Sequence, residues 1–149
     1  MSDGEKEKLK LLGKHQDDLK VISAYLQDSI ITVRDIIFLE KNKIFIMMVN
    51  RFMWEDIEKG IHRSPKRIRC AIRFEGILKV RSKNINQKNK HKNLEFLAID
   101  ANETLKENYE INFLFAGDSV ITLISEYIEV VLNDLGNSWN VKHTPKHKI

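Results

Sequence analysis

The stretch VNRFMWED, residues 49–56, brings Arg51, Trp54, Glu55 and Asp56 together just after the apolar run KIFIMMV. An arginine presents a rigid fork of donors, an indole a flat face, and two carboxylates a set of acceptors, which together could hold a ligand. Arg51 and Trp54 are therefore the candidate ligand-binding residues. The same groups could instead close a core. On an extended chain Phe52 and Trp54 fall on one side, and Arg51, on the other, can cover the indole's surroundings or pair with Glu55. Adjacent carboxylates such as Glu55 and Asp56 point apart in a loop, and no third group orients them for acid–base work. The core reading is the simpler one.

The second constellation is RIRCAIRFEGILKVR, residues 67–81. Ile68, Cys70, Ile72, Phe74, Leu78 and Val80 alternate with Arg67, Arg69, Arg73, Glu75, Lys79 and Arg81, a period of two that predicts one long strand with a bend at Gly76. On one face of a strand, Arg67, Arg69, Arg73, Lys79 and Arg81 would form a row of cations about 7 Å apart, close to the phosphate spacing of a single nucleic-acid strand. These five are the candidate nucleic-acid-binding residues. The competing reading is a wet sheet face whose cations pair with acids on neighbouring strands, such as Glu95 or Glu110. It leads, because the aromatic platforms of single-strand binders are missing from that face.

Enzyme and metal chemistry find less support. FAGDS has one glycine and lies between two strands, so it lacks the amide cradle of a phosphate loop. Ser23, Ser29, Ser119 and Ser125 sit in no strand-to-helix elbow that would expose a nucleophile. His143 and His147 are four apart, but Pro145 between them opposes a helix that would present both to a metal. Cys70 reads as a small buried hydrophobe, and Met47 and Met48 as core filler. Tyr25, Gln27, Asp100 and Asn102 could line a cleft at strand ends, though capping and turn duty account for them equally well. No cofactor is expected.

These residues must be positioned by some framework, and the chain's size and pattern outline it. A chain of 149 residues is expected to form a single domain over 1–149, with 1–7 and 140–149 frayed. Its single cysteine excludes an internal disulfide and suits the reducing cytoplasm. MSDGEKEKLK offers no apolar signal region, and no run of about 18 apolar residues is present to span a bilayer, so no membrane partner is expected. The net charge of +4 is unevenly spread. From His62 to Lys92 there are eleven Lys or Arg and one acid, Glu75, leaving the rest of the chain net acidic.

LKLLGK predicts a short strand. In HQDDLKVISAYLQDS the period changes to helical, with Leu19, Ile22 and Leu26 on one face, widened by Val21 and Tyr25. Ile31 to Leu39 and Ile44 to Phe52, separated by EKNK, predict a hairpin. Its second run is apolar on both faces, so the helix is expected on one side and a curled sheet or a second subunit on the other. WEDIEKGIHRSPKR reads as a loop with at most one helical turn. LEFLAID, YEINFLF and VITLIS read as further strands, with AGDS as a tight turn. EYIEVVLNDLG places Ile128, Val131, Leu132 and Leu135 at helical spacing before Gly136, predicting a C-terminal helix, although its β-branched content also permits a strand. The sum is an α+β fold: an antiparallel, curled sheet of about seven strands with one early and one C-terminal helix. A pleckstrin-homology-like barrel is a variant, weakened by the early helix.

SAYLQDSI, VNRFMWE, AIRFEGILKVRS, FAGDSVITL and LNDLGNSW, in that order, resemble a small alphaproteobacterial family catalogued as a domain of unknown function. The resemblance covers Leu9 to Trp139 and implies no activity, cofactor or site residue. The expected function is thus a non-catalytic binding or adaptor module with an unidentified protein partner and homodimerisation through the apolar hairpin. A nucleic-acid or ribosome-associated protein using the basic strand, and an enzyme on a small metabolite, are the alternatives.

Overall fold

The computed structural model describes residues 8–58 and 64–145. The predicted frayed residues 1–7 lie outside the described residues, as do 59–63 and 146–149, with His147 among them. In chain order the elements are β1 (Lys10–Gly13), α1 (Asp18–Leu26), β2 (Ile30–Leu39), a 3-10 turn (Glu40–Asn42), β3 (Ile44–Phe52) and α2 (Trp54–Glu58). Then come β4 (Lys66–Phe74), β5 (Ile77–Lys83), β6 (Asn93–Glu103), β7 (Tyr109–Phe115), β8 (Ser119–Ser125) and β9 (Val130–Asn140). The strands form one antiparallel sheet in the order β1-β9-β4-β3-β2-β6-β7-β8-β5. No helix among the described residues is long and apolar enough to cross a membrane.

The predicted hairpin forms, running from Ile31↔Val49 to Leu39↔Ile44 with a bulge between Ile31 and Ile36. Two corrections raise the strand count from seven to nine. The long basic strand is two strands, because Gly76 adopts φ +73 and turns the chain out of β4. β4 continues between β3 and β9, whereas β5 joins β8 at the far end of the sheet. The second correction is the C-terminal helix, which does not form. Period two wins over the helical spacing: Val130, Leu132 and Asp134 face inward, while Val131, Asn133 and Leu135 are only half-buried. β-branched side chains fit this pleated surface better than a helix. Gly136 is left-handed as its position suggested (φ +70), but it serves a bulge where β9 slips against β4 between Arg67 and Arg69. The one helical turn that the reading allowed in the segment after β3 is present as α2.

The sheet curls back on itself without closing into a barrel, so the pleckstrin-homology-like variant is not realised. β6 pairs with β2 only through Asn93 to Glu95 and from Phe96 onward with β7. This hinge swings β7 over β3 and β4, where the Phe113 ring meets Phe74 edge-on at 5.4 Å and lies 6.2 Å from Phe45. α1 lies along the stretch of β6 that β2 has left. Its Ser23 Oγ accepts the Ile99 N–H at 3.0 Å, and the Gln16 side-chain amide donates to the Ala101 carbonyl. Leu19, Ile22 and Leu26 enter the same core as Phe45, Met47, Val49 and Phe113, while Val21 stays half-exposed. Helix and curled sheet therefore cover the same face of β3, not opposite faces. Its other face runs across the sheet as Ile37–Ile46–Arg73–Val131–Leu12, with Ile37 46% and Leu12 60% exposed.

Candidate functional site

Arg51 occupies an inward position near the end of β3 and is completely buried. Its fork meets two carboxylates. Nε donates to Asp134 Oδ1 at 2.8 Å and Nη2 to Asp134 Oδ2 at 2.7 Å, while Nη1 and Nη2 donate to Glu55 Oε1 and Oε2 at 2.9 and 2.7 Å. The remaining Nη1 proton points to the Phe52 carbonyl at 3.5 Å. A guanidinium has five donors, so this arrangement leaves none for a ligand. Burial alone would lower the basicity of Arg51, but the hydrogen bonds to Asp134 and then Glu55 outweigh it and raise the pKa above the ordinary arginine value. Asp134 Oδ2 also accepts the Leu9 N–H at 2.8 Å, which ties the approach to β1 into the network.

The expected pairing of Arg51 with Glu55 is present, because α2 begins directly after β3 and returns Glu55 one helical turn later. Asp134 was missed. Reading its segment as a helix hid the signal, which is an acid at an inward position of a strand facing an inward arginine. Trp54 donates its indole N–H to the Gln27 carbonyl at 2.8 Å and meets the Phe52 ring edge-on at 4.5 Å. It also lines a cavity of about 370 Å³ with Lys20, Val21, Ala24, Tyr25 and Glu55. Arg51 sits behind that cavity, 5.8 Å from the Tyr25 ring, so of the candidate pair only Trp54 reaches the space.

The five basic candidates do not form one row. Arg67 donates to the carbonyls of Asp28 and Asn50, both at 3.0 Å, and lies 5.7 Å from the Phe52 ring centre. Burial lowers its pKa, against the nearby charges of Asp28 and Glu95. Arg69 pairs with Asp35 at 3.1 Å and Arg73 with Glu75 at 2.7 Å. Glu75 in turn lies beside Glu129, whose hydrogen bond holds the Glu75 carboxyl below the ordinary range and lifts that of Glu129 above it. Lys79 and Arg81 ride on β5, beyond the Gly76 bend, exposed and with no ion pair among the described residues. A bulge between Ile77 and Lys79 reverses the expected alternation there, leaving Ile77 buried and Leu78 exposed.

Arg81 borders a feature that the sequence did not suggest. β5 pairs with β8 on one side only. β2 loses β6 after Thr32, and its next two N–H groups, Val33 and Arg34, donate to the carbonyls of Lys92 and Lys90. Between the two uncovered edges lies a groove of about 290 Å³. Val33, Ile36, Phe38, Phe45, Val80 and Ile121 give it an apolar lining, and Arg81, Ser82, Gln87 and Lys90 the polar part. One end is pinned where Ile77 N–H donates to the Lys43 carbonyl at the hairpin tip and Lys43 pairs with Glu126 at 2.7 Å. The other end is closed by the β5–β6 loop, held through Lys90 and Lys92. This is the open seam of the unclosed sheet.

The remaining candidates stay apart. Cys70 is buried next to Asp134 in the β4–β9 register, and burial, then the Asp134 charge, pushes its thiol up to about 12. No cluster of three His, Cys, Asp or Glu among the described residues could hold a metal ion. Asp100 and Asn102 lie on β6, facing Asn112 and Glu110 across the β6–β7 ladder, and His143 is exposed beyond β9. A family model described as a protein of unknown function, DUF2948, matches residues 9–147. No curated protein matches the chain.

Proposed function

The chain belongs to the DUF2948 family of proteins of unknown function, and from that premise we propose that it is a non-catalytic binding module that takes an extended segment of a partner protein along the seam between β2 and β5. The observation that carries this reading is that the outer edge of β5 and the edge of β2 beyond Arg34, where no strand pairs with it, line one groove with an apolar floor. Unpaired strand edges carry free N–H and C=O groups at strand spacing, and an added strand satisfies them while its alternate side chains fill the pocket. The Arg51 centre is the structural anchor of the opposite half of the sheet, with every donor of its guanidinium occupied. A cytoplasmic setting fits the single, buried cysteine.

The test is an array of peptides of unbiased sequence, probed with the labelled full chain and with Ser82→Trp. Ser82 is exposed on β5 and borders the groove, so the indole fills the seam and leaves the β5–β8 ladder in place. A set of peptides retained by the wild type and lost by Ser82→Trp at unchanged melting temperature is the expected result. No peptide retained, or equal retention by both proteins, defeats the reading.

A second reading, self-association, is favoured by the outer sheet face. Ile37 and Leu39 are there 46% and 43% exposed beside the half-buried Ile44, Ile46 and Met48, and Leu12, farther along the same face beyond Arg73 and Val131, is 60% exposed. A second copy laid on the same face would bury them symmetrically.

A further inference from the structure

Six Lys or Arg and no acid occur between Ile77 and Lys92. This segment forms β5 and the loop that closes one end of the seam. Arg81 and Lys90 line the groove itself, and Lys79 and Lys83 stand on the same strand as Arg81. None of the four makes an ion pair among the described residues. The contrast with β4 is informative, since Arg67, Arg69 and Arg73 all have acceptors within their own fold. Asp35 on β2 pairs with Arg69, and Glu126 past the end of β8 with Lys43. On the two halves of the basic segment, then, the β4 arginines are partnered, and Lys79, Arg81, Lys83 and Lys90, beside the open strand edge, carry no ion pair among the described residues.

Resting on the seam as the binding site, we infer that its occupant is an acidic extended polypeptide whose carboxylates alternate with apolar side chains. In an added strand, side chains point alternately to opposite faces. One set meets the floor of Val33, Ile36, Phe45, Val80 and Ile121, and the other meets the water side, where the cations of β5 and its loop stand. Carboxylates there gain charge-assisted contacts and speed encounter with the basic edge. RNA offers the same sign of charge but a different backbone. The groove's own rings, Phe38 half-buried and Phe45 buried, present no platform on which bases could stack, whereas strand edges match the donor and acceptor spacing of a polypeptide.

The experiment titrates the full chain with acetylated peptides of alternating leucine and glutamate, leucine and glutamine, or leucine and lysine. Each is about eight residues long, enough to span an edge strand such as β5. An oligouridylate serves as a fourth probe. Expected is binding of the glutamate peptide about tenfold tighter than the glutamine peptide, as two or three exposed charge pairs would give. That preference should shrink with added salt and vanish in Arg81→Gln/Lys90→Gln. Equal binding of the glutamate and glutamine peptides overturns the acidic occupant and leaves the seam as a site. Failure of all three peptides overturns both. Oligouridylate bound by the wild type and lost in the double variant, with no peptide bound, assigns the cations to nucleic acid instead.

Discussion

Arg51 illustrates what a single buried charge demands of its surroundings. The guanidinium and the Asp134 carboxylate are both fully buried, and each is tolerable only because the other is there. Truncation in Arg51→Ala leaves Asp134 without its cation and is expected to cost about 3–5 kcal/mol in urea unfolding. Arg51→Lys keeps the charge but loses the two-sided fork, and should fall between the wild type and alanine. Replacing the charges together, with Arg51→Met, Asp134→Leu and Glu55→Gln, should cost less than Arg51→Ala alone, which is the signature of an uncompensated charge and not of lost volume. Cys70 next to this centre gives a prediction in the alkaline range. Its folded pKa is raised from 9.0 to about 12, so its contribution to stability is fully present below the unfolded value and declines as pH rises from there toward the folded one. In that window the unfolded thiol loses its proton and the folded one keeps it, so stability falls by up to about 1.4 kcal/mol per pH unit. Cys70→Ala should flatten the alkaline limb of a stability–pH curve, and in the native wild type a thiol reagent at pH near the ordinary cysteine value should react only as fast as the protein opens.

Among the elements, the decisive one is the turn at Gly76. Its left-handed φ sends β5 to the far end of the sheet, and a Cβ there would stand 2.8 Å from the Tyr127 ring. The carbonyl of the same residue accepts the Glu126 N–H at 2.9 Å, so the turn is fastened to the end of β8. Gly76→Ala meets both the backbone strain and the clash, and is expected to cost about 1–3 kcal/mol by thermal or chemical unfolding. A Gly76→Ala protein as stable as the wild type would mean that the turn relaxes and that β5 has freedom to move. Most elements were legible in the sequence because their periods were unmixed. The β2–β3 hairpin, β7 and β8 emerge close to the predicted residues, as does the inward face of α1. β9 was not legible because Ile128, Val131, Leu132 and Leu135 satisfy a helical spacing while Val130, Leu132 and Asp134 satisfy alternation, and only pairing with β4 and β1 decides between them.

For the whole molecule, the curl of the sheet encloses the core and leaves the seam and the outer face open. If the outer face is covered by a second copy, light scattering at micromolar concentration should return twice the 17.5 kDa chain mass. Ile37→Lys, which places a charge among the exposed apolar residues of the β2–β3 hairpin without entering the core, should return the protein to a single chain. A wild-type monomer at that concentration removes self-association and leaves the face as ordinary exposed apolar surface.

The sequence by itself determined the α+β class, the hairpin, the inward set of α1 and the concentration of positive charge between residues 62 and 92, because these follow from local period and composition. It also offered Glu55 as one possible partner of Arg51, and that pairing is present. Tertiary structure alone decided which cations are consumed and which remain. Arg67, Arg69 and Arg73 look the same as Lys79 and Arg81 along the chain, yet the Gly76 turn puts the first three among acceptors and the last two beside an unpaired edge. The Asp134 partnership and the seam arise in the same way. Each depends on strands far apart in sequence becoming neighbours, or failing to, and a local pattern carries no record of which edges meet.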